Sequence, residues 1–559
     1  MAARRGEHIV SSVNFPGKVS TPVADTLDIE NARGYRATPP EALWLGAISI
    51  FVGIALGCYL TLHLQYMSYD AVARIAHAYY VLFSRNPHFG AIGFVWTPLS
   101  SIMALPLVAS SHLWPPLVRQ GMAGVPISAL FAGLGSFSLA RLLYHFGIPK
   151  PWRVIMVLLY MLNPMILLYS ANGMTDGMMV ACVLATYDNL FVYAKRHSLR
   201  ALVAAGLWVV VGLGVRYEAL TFGLMTALGL AVGQLLSKVS WNKIQGTAII
   251  FLAPLAFGGS LWLYFNWLIM KNPFYFLDGE YSNIAQTALS RYEKHIRAHV
   301  MHNPLAALLY VAHFTLLYWP IDLGILVGVF FLIGHSRDTF VPVIFGGIVG
   351  PLLLDFALLY KGSLAPWDRY FIYYIPSGVV LVSYLASRLV RPFPSKGWLV
   401  YVLSVILMLS GSMGTYVALQ THKLGNPDGY IIASALADKN MNAQTPGSIA
   451  LIRYVNAHPH MVILTDEFTT GVPVVIQVNN PKQFIITSDY DYKSILYNPR
   501  GRVSAFLVPD PIGGAKLDDI DRAWPGLWSG KIPWAHEIRQ FPNVDGITYR
   551  LYGIGPTAP

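Results

Sequence analysis

Carboxylates at positions 70 and 176 and guanidiniums at 216 and 369 are the side chains best placed to do chemistry in this chain, because each stands at the edge of an apolar run. Asp70, in Tyr69-Asp70, lies a few residues past the first long apolar run, Leu43 to Leu64, and opens a polar stretch that ends at Trp96-Thr97-Pro98-Leu99. Asp176 closes Asn172-Gly173-Met174-Thr175-Asp176, and Arg216 leads Arg216-Tyr217-Glu218. Arg369 follows Asp368 in a loop that also holds Lys361 and Trp367. Charged groups near the hydrocarbon boundary are costly unless they pair or line a wet cavity. Acids and arginines drawn from several loops at one depth therefore imply such a cavity. A guanidinium suits bidentate contact with phosphate.

Each of these residues also has a structural reading. Asp70 would pair with Arg74 at i+4. Thr175 or Asp176 would cap the helix that follows. Arg216 would pair with Glu218 or snorkel to the interface, and Arg369 would pair with Asp368. His295, His299 and His302 fall at i, i+4 and i+7, a spacing that can bind a metal. Arg291, Lys294 and Arg297 among them favour an amphipathic helix on anionic headgroups instead. Asp322 and Asp355 lie inside apolar runs; Asp355 is close enough to Lys361 to pair with it, and Pro320 predicts a kink beside Asp322.

The elements that must position these groups are membrane helices. Of 559 residues, 55% are hydrophobic and only 12% charged, half the charge of an average soluble domain. The apolar residues come in blocks, about eleven of them long enough to cross a bilayer. The predicted spans lie near 42–64, 120–143, 154–172, 177–194, 201–215, 219–236, 246–270, 305–333, 340–360, 370–387 and 398–418. The net charge of +11 comes from basic residues at span ends, which argues for membrane orientation and against nucleic-acid binding. With the amino terminus inside, Arg141, Lys150, Arg153, Lys195, Arg196, Arg200, Lys238, Lys243, Arg337, Arg388, Arg391 and Lys396 all fall on the cytoplasmic side, as the positive-inside rule requires. That alternation needs the short, Pro-containing run from Phe94 to Leu107 to lie on the outer leaflet instead of crossing.

The organisation expected is a disordered cytoplasmic tail over 1–41, a transmembrane domain over 42–418 with outer loops 65–119 and 271–304, and an extracytoplasmic domain over 419–559. In that last domain, strand candidates at 461–465, 484–486 and 503–508 alternate with a helix at 448–456 and suggest a small α/β unit. Residues 1–41 are too polar for a cleavable signal. The two cysteines, Cys58 and Cys182, both fall in apolar runs and supply no disulfide framework.

Over residues 42–418 the layout resembles the GT-C glycosyltransferases, membrane enzymes similar to protein O-mannosyltransferases and lipid A aminoarabinose transferases. The residues that carry the resemblance are Asp70 in the first outer loop, Thr97-Pro98-Leu99, Asn163-Pro164 followed by the segment from Tyr169 to Asp176, the run Gly212 to Glu218, and Asp368-Arg369-Tyr370-Phe371 with Pro376. The chain departs from many relatives in having Ala71, not a second acid, after Asp70. The resemblance implies an all-α polytopic membrane protein, GT-C-like, carrying a small C-terminal α/β domain. It implies an integral protein of the plasma membrane that transfers a sugar, with inversion, from a polyprenyl-phosphate donor to a hydroxyl of a glycan, lipid or protein acceptor at the outer face.

Such chemistry needs a base for the acceptor hydroxyl and cations for the departing phosphate. Asp70 and Asp176 are the implied catalytic acids, with Asp70 as the base, its basicity raised by partial desolvation. Arg216, Arg369 and Lys361 are the implied phosphate ligands, and Tyr69, Arg74, His88, Glu218 and Asp368 the supporting groups. Asp70 and Asp176 could together hold a divalent cation, Mg or Mn. A transporter or flippase of lipid-linked precursors is the competing expectation, and it calls for paired repeats and broken helices at mid-membrane; no such halves are visible. A non-catalytic scaffold would not need the outer acids and arginines.

Overall fold

A computed structural model describes residues 38–289, 294–335, 338–364, 367–391, 394–420, 427–441 and 444–555. The tail expected over 1–41 lies outside the described residues up to position 37. So do Arg291 and Glu293 of the fourth outer loop, and Arg337. The described chain is helical from Pro40 to Leu419 and mixed beyond it.

Among the described residues, eight helices are long and apolar enough to cross a membrane: Pro40–His63, Gly124–His145, Thr175–Arg196, Glu218–Leu236, Trp241–Met270, Phe340–Tyr360, Asp368–Val390 and Gly397–Leu419. Large apolar side chains such as Ile249, Phe257 and Leu403 stand exposed on their outer faces. This is the surface of an integral membrane protein, whose backbone polar groups are satisfied inside each helix.

The other three expected spans take different forms. Residues 154–172 break into Lys150–Met161 and Pro164–Tyr169. At the break, Asn163 caps the second piece by accepting from Met165 N at 3.1 Å, and its amide donates to Thr415 Oγ1 at 3.1 Å. Residues 201–215 form the 17-residue helix Leu199–Val215. Residues 305–333 form Pro304–Tyr318 and Pro320–Gly334, bent by 100° at Trp319, where the proline removes a backbone donor. From Phe94 to Leu107 the chain is helical only from Leu99, in the 11-residue helix Leu99–Ala109, about 16 Å long and too short to cross.

Among the described residues the tail carries one sheet of five strands, β1 (Ile463–Thr465), β2 (Phe484–Ile485), β3 (Ala505–Pro509), β4 (Ala535–Val544) and β5 (Ile547–Ile554), in the order β2-β1-β3-β5-β4. Strands β1, β2 and β3 are parallel, and β5 pairs antiparallel with β3 and with β4. The β4–β5 hairpin, absent from the sequence reading, turns through Asp545 and Gly546, both at positive φ, the geometry that suits a tight right-twisted hairpin.

This domain is docked on the first loop. Arg85 Nε donates to Asp489 at 3.2 Å, Met441 N donates to Leu64 O at 2.7 Å, and the Tyr69 hydroxyl hydrogen-bonds Asp545. Tyr281 of the fourth outer loop donates to Asp466 at 2.6 Å.

Candidate active site

The helix Tyr69–Phe83 places Asp70 in its first turn, where a carboxylate is favoured by the helix dipole. The Asp70 carboxylate is still 34% exposed, and Arg369 Nη2 donates to its Oδ2 at 2.7 Å across 299 residues of sequence. That ion pair, and not one with Arg74, is the one Asp70 makes. Arg74 is one helical turn on, but its Nη1 donates to the Asp70 backbone carbonyl at 2.7 Å. The Arg74 guanidinium lies over the Trp96 ring, 4.7 Å from its centroid, on a residue only 8% exposed. Its Nε has no hydrogen-bond partner among the described residues.

Asp176 is fully buried and lies inside the first turn of Thr175–Arg196; the residue at the cap is Met174, so the capping role expected of Thr175 or Asp176 is not what the structure shows. Arg216 Nη1 donates to Asp176 Oδ1 at 2.6 Å, and its Nε donates to Glu218 Oε1 at 3.0 Å. Asp176 Oδ2 has no hydrogen-bond partner among the described residues. The loop that delivers Asp176 packs Gly173 against Gly124: a Cβ on Gly173 would meet Gly124 Cα at 3.1 Å, and Gly173 has φ +74°. Both facts demand glycine there.

Tyr370 joins the two halves. Its ring centroid is 5.3 Å from the Arg369 guanidinium and 5.5 Å from that of Arg216, and it stacks on Trp367 at 5.8 Å. Arg369 also lies 4.5 Å from the Trp367 centroid. Burial pushes the Asp70 carboxyl up, but the guanidiniums of Arg369, Arg74 and Arg216 outweigh it and hold the group below the ordinary carboxylate value. This reverses the expectation that desolvation makes Asp70 more basic. His77, on the same helix, is pushed down to about 4 by burial and by Arg74, so it is neutral at pH 7.

The remaining residues singled out from the sequence make other contacts. Lys361 is exposed at the end of Phe340–Tyr360. Asp355 accepts from the Tyr373 hydroxyl, not from Lys361. His88 sits 4.2 Å from the Tyr490 ring of the tail and bonds the Asn86 carbonyl. Tyr69 faces the tail, and Asp368 is buried.

Among solved structures, ArnT from Cupriavidus metallidurans bound to undecaprenyl phosphate matches with a TM-score of 0.52 at 11% identity, covering 92% of this chain and 98% of its own. The chain has the GT-C fold. ArnT in the apo state matches with a TM-score of 0.49 at 11% identity, over 91% and 97% of the two chains. The archaeal oligosaccharyltransferase AglB from Archaeoglobus fulgidus, in complex with an inhibitory peptide and a dolichol-phosphate, matches at 0.41 and 9% identity, over 91% and 74%. No family model and no curated protein matches the sequence.

Within this GT-C fold, Asp70 and Asp176 do not fit a resident divalent cation. Each carboxylate is already ion-paired to an arginine, and a third guanidinium stands beside them. Among the described residues no group of three His, Cys, Asp or Glu side chains could hold a metal ion. Sequence reasoning missed the roles of Trp96, Trp367 and Tyr370. For Trp367 and Tyr370 the available signal was their placement beside Arg369 in Trp367-Asp368-Arg369-Tyr370; Trp96 has no arginine near it in sequence and carried no such signal.

Proposed function

We propose that this protein is an inverting glycosyltransferase that moves a sugar from a polyprenyl-phosphate donor to an acceptor hydroxyl at the outer face of the plasma membrane. The observation that carries the reading is the Asp70–Arg369 pair, a part-exposed carboxylate held by a buried arginine beside Arg74 and the Arg216–Asp176 pair. The GT-C fold supports it, as does the undecaprenyl phosphate held by ArnT.

In this reading Asp70 accepts the acceptor's proton. The freed oxygen forms a bond to the anomeric carbon as the bond from that carbon to the phosphate oxygen breaks. The polyprenyl phosphate leaves with the electron pair, and Arg369 and Arg74 neutralise its charge. Arg74 enters here because its guanidinium makes no ion pair among the described residues, whereas Arg216 is occupied by Asp176 and Glu218. Arg216 then acts by fixing Asp176 beside the acceptor, and Lys361 meets the phosphate only at the rim. Phosphate bound to Arg369 draws that arginine from Asp70, which returns basicity to the carboxylate when the substrate is in place.

Envelope glycans from a deletion strain, compared with wild type by mass spectrometry, identify the transferred sugar. With that donor, Asp70→Asn in the full-length protein lowers transfer about 10²–10⁴-fold while expression and donor binding persist. Transfer at the wild-type rate would overturn the reading.

A further inference from the structure

Away from the arginine–carboxylate cluster, a cleft of about 330 Å³ opens where the far end of the Tyr69–Phe83 helix, residues 111–119 and residues 476–482 of the tail meet. That volume falls at the small end of the range for ligand pockets. Tyr79 and Phe83 form one wall, with ring centroids 5.1 Å apart. Arg119 and Lys482 bring positive charge and Asn479 and Asn480 bring amides, while no carboxylate lines the cleft. Arg119 is exposed but tethered: its Nη2 donates to Asn479 Oδ1 at 3.1 Å, and its backbone carbonyl accepts from Gln477 Nε2 at 2.7 Å. The neighbouring Leu113 and Trp114 are large and exposed, as suits a segment at headgroup depth.

The chemistry selects a ligand that is anionic and also has an apolar face and several hydroxyls. Two cations without an acid favour an anion. An aromatic wall beside side-chain amides favours a sugar ring, whose C–H face packs on the rings while its hydroxyls meet the amides. A lipid headgroup would need only the charge. Tyr79 lies nine residues beyond Asp70 on one helix, about 13 Å along its axis and, two and a half turns on, on its opposite face.

We propose that this cleft holds a phosphorylated or carboxylated sugar of the acceptor, as a subsite remote from Asp70. The proposal rests on the transferase reading above and adds that the acceptor is acidic.

The test uses full-length protein in neutral phosphatidylcholine nanodiscs, with glucose 6-phosphate and glucose as probes and saturation-transfer NMR as the readout. Glucose 6-phosphate binds saturably, and glucose binds at least about tenfold more weakly. Lys482→Glu and Arg119→Gln each weaken glucose 6-phosphate about tenfold or more, the loss expected for one charge-assisted hydrogen bond. Lys482 is exposed, so its variant keeps the wild-type thermal midpoint even where Arg119→Gln loosens the tail. Equal binding of the two probes, or wild-type binding by Lys482→Glu, overturns the proposal. So does displacement of glucose 6-phosphate when phosphatidylglycerol is added to the nanodisc, which would make the occupant a lipid headgroup. Because binding is read without turnover, a failed cleft leaves the Asp70 reading standing. Wild-type transfer by Asp70→Asn would sink that reading without altering the binding result.

Discussion

Arg74 differs from the other two arginines of the cluster in what it has left to give. Arg369 and Arg216 each face a carboxylate, while Arg74 spends one amino group on a backbone carbonyl and lies over Trp96. A buried guanidinium in that state is suited to an incoming phosphate. Arg74→Gln should raise the donor KM and lower kcat/KM by about 10–100-fold, the worth of one or two charged hydrogen bonds. Arg74→Lys should recover only part of the loss, because it keeps the charge and not the planar fork. Steady-state kinetics at varied donor check this, and an unchanged donor KM in Arg74→Gln would remove Arg74 from the phosphate site. Glu467, in the tail, makes a prediction of another kind. Burial raises its carboxyl from 4.5 to about 8, against a hydrogen bond from Ser488. A carboxyl raised by folding favours the folded state fully below its unfolded value and loses that contribution as pH rises through the folded one. Between about pH 4.5 and pH 8 the thermal midpoint of the wild type should therefore fall relative to Glu467→Gln. Parallel midpoints across that window would show that Glu467 titrates normally.

The elements that bring the site together are short loops between long helices, and there the fold is least tolerant. Gly173 precedes Asp176 by three residues and touches Gly124, at the start of the Gly124–His145 helix. Gly173→Ala adds a Cβ against backbone in a left-handed conformation, at a cost of about 1–2 kcal/mol. It should displace Asp176 from Arg216 and lower transfer with little loss of expression. Gly246→Ala, where a Cβ meets nothing within 4 Å, is the control that should leave both unchanged. The long apolar helices were legible because uninterrupted hydrophobicity of span length has few other uses. The bend at Trp319–Pro320 was legible from the proline. The break at Asn163 carried the same signal in Pro164 and was read through as one span; what no local pattern shows is that the Asn163 amide is satisfied by Thr415, 252 residues away. The candidate site divides in the same way. That Asp70, Asp176, Arg216 and Arg369 sit near one membrane depth follows from their positions at the ends of apolar runs. That Asp70 binds Arg369, and that Arg74 binds a backbone oxygen, depends on helix packing that no local pattern encodes. The β4–β5 hairpin was missed because β4 is mostly exposed and carries little apolar alternation.

At the scale of the molecule, two helices define which end is which. Thr175–Arg196 carries Asp176 at one end and Lys195 and Arg196 at the other. The Asp368–Val390 segment carries Arg369 at one end and Arg388 at the other, where Arg388 pairs with Asp338 at 2.9 Å. At about 1.5 Å per residue, the 22 residues of the first helix separate its ends by about 33 Å, one hydrocarbon thickness. The basic end belongs in the cytoplasm by the positive-inside rule, so the Asp70 cluster is proposed to face outward. The tail shares its side, because Tyr69 next to Asp70 bonds Asp545 and Arg85 bonds Asp489. A label on the tail therefore reports the side of the site itself. In a background lacking Cys58 and Cys182, cysteine at the exposed Ser529 of the tail should react with an impermeant maleimide in intact cells. Cysteine at the exposed Ser240, between two span ends near Lys238 and Lys243, should react only after permeabilisation. The reverse pattern would place Asp70 in the cytosol, where an acceptor on the outer face could not reach it, and the proposed direction of transfer would fail with it.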